Sequence, residues 1–323
     1  MNSNDKIDID QPLWDQSTYI GRWKHYAFIT DCRTVIVPRE KLLTAKQLCE
    51  DYRNDTVPPG TAMKDIIYAK KLKDSAFHPD NGQLMHVLGR MSFQLPSSVT
   101  ITTMMLTFYK SATAIVLCQI INQTHNALLN YTNRNAMTDN DFADKNSVKT
   151  AFLCAVSASS AVVVGCEKIL HQRGPITSRC VPFLVVATGD VTNLPLMRQR
   201  EIMMDTPLFI EDAIEPIINS KVAAVKAISE CVLTRIALAV PCLLFIPMIT
   251  QAIKPYCFYQ RGQWMIYPIE ITFAYYLLGI PSSLALFPRY RLMSPELLKI
   301  HKPEYMEFRE KVKQDVDKVY YYK

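Results

Sequence analysis

Asparagine side chains recur at a helical spacing in the middle of the chain, directly after a long apolar segment. They occupy four positions: Asn122, Asn126, Asn130 and Asn133. Residues three and four apart share one face of a helix, so a helix here carries a stripe of amides. Amides both donate and accept hydrogen bonds, and can bind a zwitterion without placing a fixed charge in a membrane. The alternative is that they cross-link helices or cap a helix end at the membrane interface.

Three further side chains extend this candidate binding site. Asn193 adds another neutral amide, whereas Arg134 and Arg198 supply guanidinium groups that can pair with a carboxylate or a lipid headgroup. His125 lies off the stripe, and its position predicts a packing or interface residue. The sequence thus predicts a binding site made mainly of amides, with arginines near its ends.

Four charged residues lie within or at the edges of the apolar segments: Lys110, Asp190, Arg235 and Glu270. Charge is costly inside a membrane, so these residues are candidates to pair, to line a water-filled path or to move a proton. Lys110 and Arg235 are near segment ends, from which long side chains can instead reach the headgroups. Asp190 precedes Pro195 in a stretch that predicts a broken helix, the alternative being a kink satisfied by neighbouring helices.

Long uncharged segments are the elements that must position these groups. Most approach the roughly 20 residues that a helix needs to cross a bilayer, where only helices satisfy their own backbone groups. The predicted spanning segments are at about 98–121, 150–166, 179–197, 236–253 and 271–288. We therefore predict an all-α fold, a multi-pass transmembrane helical bundle of about five spans within residues 96–290.

Charged regions flank the predicted bundle. Residues 1–95 form a predicted soluble region with amphipathic helices at about 39–53 and 61–73, the second with Thr61 as its N-cap. Residues 291–323 form a charged tail compatible with a helix. The acidic, polar N-terminus has no apolar core and no Arg- and Ser-rich amphipathic stretch, so we expect no cleavable presequence.

The tripeptide His78–Pro79–Asp80 resembles the loop of a J-domain co-chaperone, but the flanking sequence that such a domain needs is missing. His78, Asp80 and His86 can in principle bind a metal ion. A turn in which Asp80 caps locally beside Asn81–Gly82 is the simpler prediction. We therefore predict no metal site and interpret the turn as a gate or an assembly contact.

Composition and missing motifs argue against several classes of protein. The net charge of +6 forms no basic stripe, so nucleic acid is not an expected partner, whereas anionic lipid such as cardiolipin is. The nine cysteines include no CxxC pair, which argues against a zinc or redox site and for a reducing compartment. No GxGxxG, Walker, GxSxG or HExxH motif is present, so nothing indicates an enzyme or a cofactor.

Several blocks, in order along nearly the whole chain, resemble the sideroflexin family. They are Trp14–Thr18, Gly21–His25, Thr30–Arg33, Asp74–Asp80, Gly89–Ser92, Leu106–Tyr109, Asn130–Asn135 and Pro195–Gln199. Tyr68–Leu72 and Ser92–Pro96 look most like the sideroflexin-two branch. The resemblance implies a mitochondrial inner-membrane protein of four or five spans that transports serine, or a similar small neutral amino acid, for one-carbon metabolism. It also implies a looser link to mitochondrial iron and haem homeostasis, so the alternative is a non-transporting scaffold or assembly factor.

The C-terminal half departs from the family pattern. It has Gly189–Asp190 where the family usually reads an alanine- and asparagine-rich segment, and Glu270 where a glutamine is usual. The chain ends in Tyr320–Lys323 instead of the usual Asn-Lys-Gly-Leu. Because carboxylates are costly within spans, the two acidic replacements suggest an altered substrate choice or added proton coupling.

Overall fold

The computed structural model of the chain describes residues 7–79, 81–108, 110–132, 141–170, 180–203, 205–210, 216–274, 279–288, 290–312 and 319–322. These residues are mostly helical, as predicted. They form an N-terminal module of short helices, a bundle of longer helices and a small antiparallel sheet.

The N-terminal module contains α1 (Tyr19–Ile29), α2 (Arg39–Arg53) and α3 (Met63–Ala76). Both predicted amphipathic helices are therefore confirmed, and their apolar faces pack together in one core. The prediction of Thr61 as N-cap is wrong, since Ala62 precedes α3 and makes no side-chain cap. The Thr61 hydroxyl instead donates to the carbonyl oxygen of Pro58 (2.8 Å), which satisfies it within the preceding turn.

Asp31 joins the end of α1 to α3. Its buried carboxylate accepts hydrogen bonds from Arg33 (Nη2 to Oδ2, 2.6 Å) and from Lys71 on α3. Burial alone would raise the pKa of Asp31, but the hydrogen bonds from Arg33 and Lys71 outweigh it and hold the pKa well below its usual range. The ionised carboxylate therefore stabilises the packing of α1 on α3.

We expect Asp31→Asn to destabilise the protein at neutral pH and to lose this effect in acid. A carboxylate with a depressed folded pKa stabilises the fold above its unfolded pKa of about 3.9, and this stabilisation disappears as the pH falls toward the folded value. The difference in unfolding temperature between wild type and Asp31→Asn should be constant from about pH 7 to about pH 5 and shrink below that. A difference that persists unchanged at about pH 3 would contradict this role.

The bundle follows a short linking segment and is built from helices of unequal length. They are α4 (Gln94–Thr107), α5 (Ala112–Thr132), α6 (Asp141–Leu170), α7 (Val181–Met197), α8 (Gln199–Met203), α9 (Lys221–Val240), α10 (Ile246–Ile253), α11 (Cys257–Phe273) and α12 (Ile280–Leu284). Helix α6 packs along α7, while α5 contacts α6 and α9 contacts α7. A π-helical segment, Pro241–Phe245, joins α9 to α10 without interrupting the helix. Pro241 and Pro247 lie in and beside this segment, and neither has a backbone N–H to donate to the regular hydrogen-bond pattern of an α-helix.

Two of the described helices are long and apolar enough to cross a membrane. They are Lys149–Cys166, within α6, and Lys221–Ile253, the continuous helix from α9 through α10. Helix α7 is apolar but shorter. The predicted number of about five spans is therefore not confirmed.

Two predicted spans have different boundaries in the structure. The segment 98–121 is divided, because α4 ends at Thr107 and α5 begins at Ala112. The charged Lys110 lies exposed in the turn between them, which explains the break in an otherwise apolar segment. For the segment 271–288, the helix α11 begins earlier than predicted, at Cys257, and residues 285–288 at the predicted end are not helical. Apolar length alone therefore misplaced both helices.

A four-stranded antiparallel sheet was not predicted from the sequence, and it corrects the all-α assignment. Its strands are β1 (Thr206–Phe209), β2 (Ile218–Ser220), β3 (Tyr290–Met293) and β4 (Val319–Tyr322), in the order β2-β1-β4-β3. Leu208 lies opposite Tyr321, which is fully buried. The terminal tyrosines thus form a strand at the centre of the sheet.

Helix α13 (Lys302–Lys311) attaches this sheet region to the long helix. The buried Glu304 accepts hydrogen bonds from the Ser220 hydroxyl (2.5 Å) and from the backbone N–H of Lys221 (3.2 Å). Ser220 is itself the N-cap of α9, bonded to the N–H of Ala223. A carboxylate at a helix N-terminus is favourable because it meets unpaired N–H groups and the positive end of the helix dipole.

Arg22 holds the N-terminal module against the bundle. Its buried guanidinium donates to the carbonyl oxygens of Gln16 (3.0 Å), Ser17 (2.7 Å) and, across the interface, Ala285 (2.9 Å). Several charge-assisted hydrogen bonds compensate for burying the charge. Helix α1 therefore packs against the last helix of the bundle, α12.

Candidate functional site

Buried polar side chains from three helices meet inside the otherwise apolar bundle. On α5, Gln119, Gln123 and Asn126 fall on one face, being four and three residues apart. Helix α6 contributes one residue to this cluster and α7 contributes two. We call the cluster the polar layer, and its buried members are Gln119, Gln123, Asn126, Ser159, Asp190 and Asn193.

Hydrogen bonds within the polar layer join α5 to both of its neighbours. Gln119 Nε2 donates to Ser159 Oγ on α6 (3.0 Å). Asn193 Nδ2, on α7, donates to Gln123 Oε1 (2.5 Å). Polar groups that leave water must find such partners, and in apolar surroundings these bonds also fix how the helices are rotated.

Gly189 permits the close approach of α7 to the polar layer. A Cβ atom at this position would lie 2.3 Å from Gln119 Nε2, 2.5 Å from Gln123 Nε2 and 2.8 Å from Ser159 Oγ. These distances are all shorter than a normal van der Waals contact. A side chain at this position would therefore displace the ends of these side chains and disturb the hydrogen bonds of the polar layer.

Asn126 connects two side chains of opposite charge. Its Oδ1 accepts a hydrogen bond from Arg235 Nη1 on α9 (2.9 Å), and its Nδ2 donates to Asp190 Oδ1 on α7 (3.3 Å). Asp190 and Asn126 are buried, and Arg235 is half-buried. An amide can serve both charges because it carries a donor and an acceptor at once. The arrangement is therefore a neutral bridge between a carboxylate and a guanidinium.

A cavity of about 50 Å³ lies beside this bridge. Its polar lining comes from four helices and comprises Gln94, Ser98, Thr102, Asn122, His125, Asn126, Asp190 and Arg235. The remaining lining is apolar, including Ile101, Met105 and Val186. The volume exceeds the roughly 10–15 Å³ that one water molecule needs, so the cavity has room for more than one water molecule or for a small polar ligand. It offers donors, acceptors and both signs of charge to one small ligand.

Three buried polar atoms near the cavity have no hydrogen-bond partner among the described residues. They are Gln123 Nε2, His125 Nε2 and Asn193 Oδ1. Unpaired buried polar atoms are uncommon and cost free energy. Of these three residues, only His125 lines the cavity, so its Nε2 is available to a polar ligand there. The His125 ring also faces that of Phe93 (centroids 6.2 Å apart), in agreement with the packing role predicted for it.

The structure brings together some of the predicted binding residues. Asn122 and Asn126 line the cavity, and Asn193 lies in the polar layer. Asn130 belongs to α5, but the structure describes only its backbone. Asn133 and Arg134 lie outside the described residues. Arg198 is placed elsewhere, where its Nη1 contacts the Cys231 sulfur on α9 (3.0 Å).

The four charged candidates separate into two groups. Asp190 and Arg235 meet across Asn126, whereas Lys110 and Glu270 do not line the cavity. The prediction of a broken helix at Asp190 is wrong, because α7 continues through Pro195 to Met197. The Asp190 side chain accepts a hydrogen bond from Asn126 on α5. The alternative, a kink satisfied by neighbouring helices, stays a prediction.

The tripeptide at 78–80 forms a turn distant from the cavity lining. His78 donates its backbone N–H to Gln83 O (2.9 Å) and accepts from Gly82 N–H (2.9 Å), while Asn81 Oδ1 accepts from Gln83 N–H (2.9 Å). Pro79 is exposed and Asp80 lies outside the described residues. Within the described part of the chain, no cluster of three or more His, Cys, Asp or Glu side chains is arranged to hold a metal ion.

Sequence reasoning missed the glutamine and hydroxyl contributions to the site. Gln119 and Gln123 are amides in the same apolar segment as the asparagines, so the sequence signal for them is the spacing of all amides and not of asparagine alone. Gln94, Ser98 and Thr102 follow one face of α4 at spacings of four residues. Gly189 and Ser159 carry no such signal, because their role depends on the contact between α6 and α7.

These features define a helical protein with two membrane-length helices and a charged, amide-rich cavity within its bundle. The family model described as sideroflexins matches residues 8–323, and the chain belongs to the sideroflexin family.

Two kinds of sideroflexin, Sideroflexin-2 and Sideroflexin-1, match the chain at similar identity. Sideroflexin-2 of Drosophila melanogaster is 37% identical over 308 residues, which cover 94% of this chain and 93% of the relative. Human Sideroflexin-2 is 38% identical over 286 residues (88% and 87%), and human Sideroflexin-1 is 38% identical over 290 residues (89% of each). No solved structure matches the chain. Identity does not separate the two branches, so the comparisons define the family and not the branch.

Proposed function

We propose that the chain carries serine, or a similar small neutral amino acid, across the mitochondrial inner membrane and thereby feeds one-carbon metabolism. The observation that supports this most directly is the cavity in which Asn126 bridges Asp190 and Arg235. Ionisable groups within apolar helices are costly and typically mark a substrate or ion path. A chain in the mitochondrial inner membrane would contact anionic lipid such as cardiolipin as well as the amino acid.

Asn126→Ala is expected to reduce the uptake of labelled serine into liposomes by about tenfold. The substitution removes the hydrogen bonds that Asn126 makes to Asp190 and Arg235. A net loss equal to one such bond, at the lower end of the range of about 1.5–3 kcal/mol, corresponds to about a factor of ten in affinity, since each 1.4 kcal/mol is tenfold. Uptake is measured with the purified full chain, against protein-free liposomes and with unlabelled serine as competitor.

Thr124→Ala is the matched control for this experiment. Thr124 lies two residues away on the same helix and is exposed, and its hydroxyl donates to Ile120 O of that helix (2.7 Å). This variant should transport serine as the wild type does. Equal uptake by Asn126→Ala and wild type would show that the cavity is not the path.

A non-transporting scaffold or assembly factor in mitochondrial iron and haem homeostasis is the second candidate. It is favoured by the exposed apolar side chains of the N-terminal module, of which Ile20, Ile36 and Tyr68 are 65%, 86% and 52% exposed. Such residues on a separately packed module suit contact with another protein. Folded wild-type protein that takes up no serine would favour this function, and disruption of α2 and α3, not of the polar layer, should then abolish it.

A further inference from the structure

The cavity presents one negative and one positive side chain that are held apart. Of the described residues lining it, Asp190 and Arg235 carry the charges and His125 is the remaining titratable group. The Asn126 amide lies between the two charges and bonds to each. The cavity is therefore strongly dipolar without a net charge. That distribution differs from a cation site or an anion site, in which one sign dominates.

We infer that Asp190 binds the ammonium group and Arg235 the carboxylate of a zwitterionic ligand, so that both opposite charges are required for recognition. This inference rests on the proposed function and assigns its specificity-determining residues. A guanidinium matches the geometry of a carboxylate, and a buried carboxylate is a strong acceptor for an ammonium group. A ligand with only one charge would leave the other side chain without a matching partner in apolar surroundings.

Asn126 is the positioning residue of this arrangement. Its amide holds the two charged groups at a fixed separation while the ligand is absent, and can rotate aside because each of its bonds is replaced by a bond to the ligand. The hydroxyl and amide groups of Ser98, Thr102 and Asn122 line the same space and can receive a small polar side chain. The limited volume, about 50 Å³, favours small side chains over large ones.

The test compares serine with two analogues, each lacking one charged group, as competitors of labelled serine. Below they are called the halves of serine. Ethanolamine keeps the ammonium and hydroxyl groups, whereas 3-hydroxypropionate keeps the carboxylate and hydroxyl groups. Serine should compete more than about tenfold better than either half, because a site built for a group rejects analogues that lack it. The competition is measured both as uptake into liposomes and as binding to the purified full chain in detergent.

Variants of Asp190 then assign the ammonium contact. Asp190→Asn should bring serine and 3-hydroxypropionate to equal competition, and Asp190→Glu should restore the preference for serine. Thr124→Ala, outside the cavity, should discriminate as the wild type does. A merely structural role for Asp190 would lower the amount of folded protein without changing the ratio between competitors.

The outcomes separate this inference from the proposed function. Uptake of serine with either half competing equally well would overturn zwitterion recognition and leave transport intact. Protein that binds serine in preference to its halves but takes up no serine would overturn the proposed transport function and support zwitterion recognition. Neither binding nor uptake by folded wild-type protein would overturn both.

Discussion

Arg235→Gln is expected to lower the free energy of unfolding in detergent by about 3 kcal/mol, the lower end of the range for breaking a buried charge pair. The substitution leaves Asp190 buried with Asn126 but without the positive charge beyond it. The value is at the lower end because Arg235 is only half-buried. Unfolding is followed by tryptophan fluorescence in increasing denaturant.

The double variant Asp190→Asn with Arg235→Gln should be more stable than the sum of the single changes predicts. Removing both charges leaves three neutral amides that can still hydrogen-bond to one another, so no charge remains unpaired. We expect a coupling energy of about 1–3 kcal/mol. Strict additivity would show that Asn126 transmits no interaction between the two groups.

Arg261→Gln provides the control for the same chemical change at an exposed position. Arg261 lies on α11 and is exposed. Its replacement should alter the free energy of unfolding by no more than about 0.5 kcal/mol, as is usual for surface substitutions. A comparable loss at both arginines would indicate a general effect of charge on the detergent-bound protein.

The N-terminal module was the most predictable part of the fold, because its signal is local. Helix α2 was predicted with the observed boundaries from the spacing of five residues, of which Leu48 is half-buried and the others are buried: Leu42, Ala45, Leu48, Cys49 and Tyr52. An amphipathic pattern identifies both the helix and its inner face. Even here Thr61 was assigned wrongly, since α3 begins one residue later than predicted and the residue at its N-cap is Ala62, which has no capping side chain.

The bundle and the sheet were less predictable, for different physical reasons. Hydropathy measures the length of an apolar segment and not where its helices begin, so the turn at Lys110 divided one predicted span. The sheet has no local signal, because Leu208 pairs with Tyr321 across more than a hundred intervening residues. Pairing of short strands is decided by such distant contacts and by burial on one face.

The candidate site was predicted in part because amides at helical spacing are informative by themselves. Asn122 and Asn126 were found from the stripe, and Asp190 and Arg235 from their charge in apolar segments. That these two meet through Asn126 depends on how α5, α7 and α9 pack, which spacing along one chain does not specify. The helix that carries Asp190 also continues past Pro195 to Met197, which the sequence did not indicate because proline usually interrupts a helix.

Glu304→Ala is expected to lower the free energy of unfolding by about 2 kcal/mol and to loosen the C-terminal segment. Glu304 accepts hydrogen bonds from Ser220 and Lys221 at the start of α9, and pairs with His301 Nδ1 (2.9 Å). Hydrogen bonds to a charged group contribute about 1.5–3 kcal/mol, and its position at the helix N-terminus adds to this. Limited proteolysis should cleave the tail faster in the variant, because β4 lies at the centre of the sheet that Glu304 helps to anchor.

Glu307→Ala is the matched control, three residues further along α13. Glu307 pairs with Lys311 (2.8 Å), and both side chains are half exposed, at 52% and 50%. An exposed pair on one helix contributes at most about 0.5 kcal/mol, so this variant should resist proteolysis as the wild type does. Equal sensitivity of the two variants would mean that the helical propensity of α13, and not the contact with α9, holds the tail in place. Selective loss in Glu304→Ala would instead show that the C-terminal residues stabilise the start of the long helix, whose later turns carry Arg235 into the cavity.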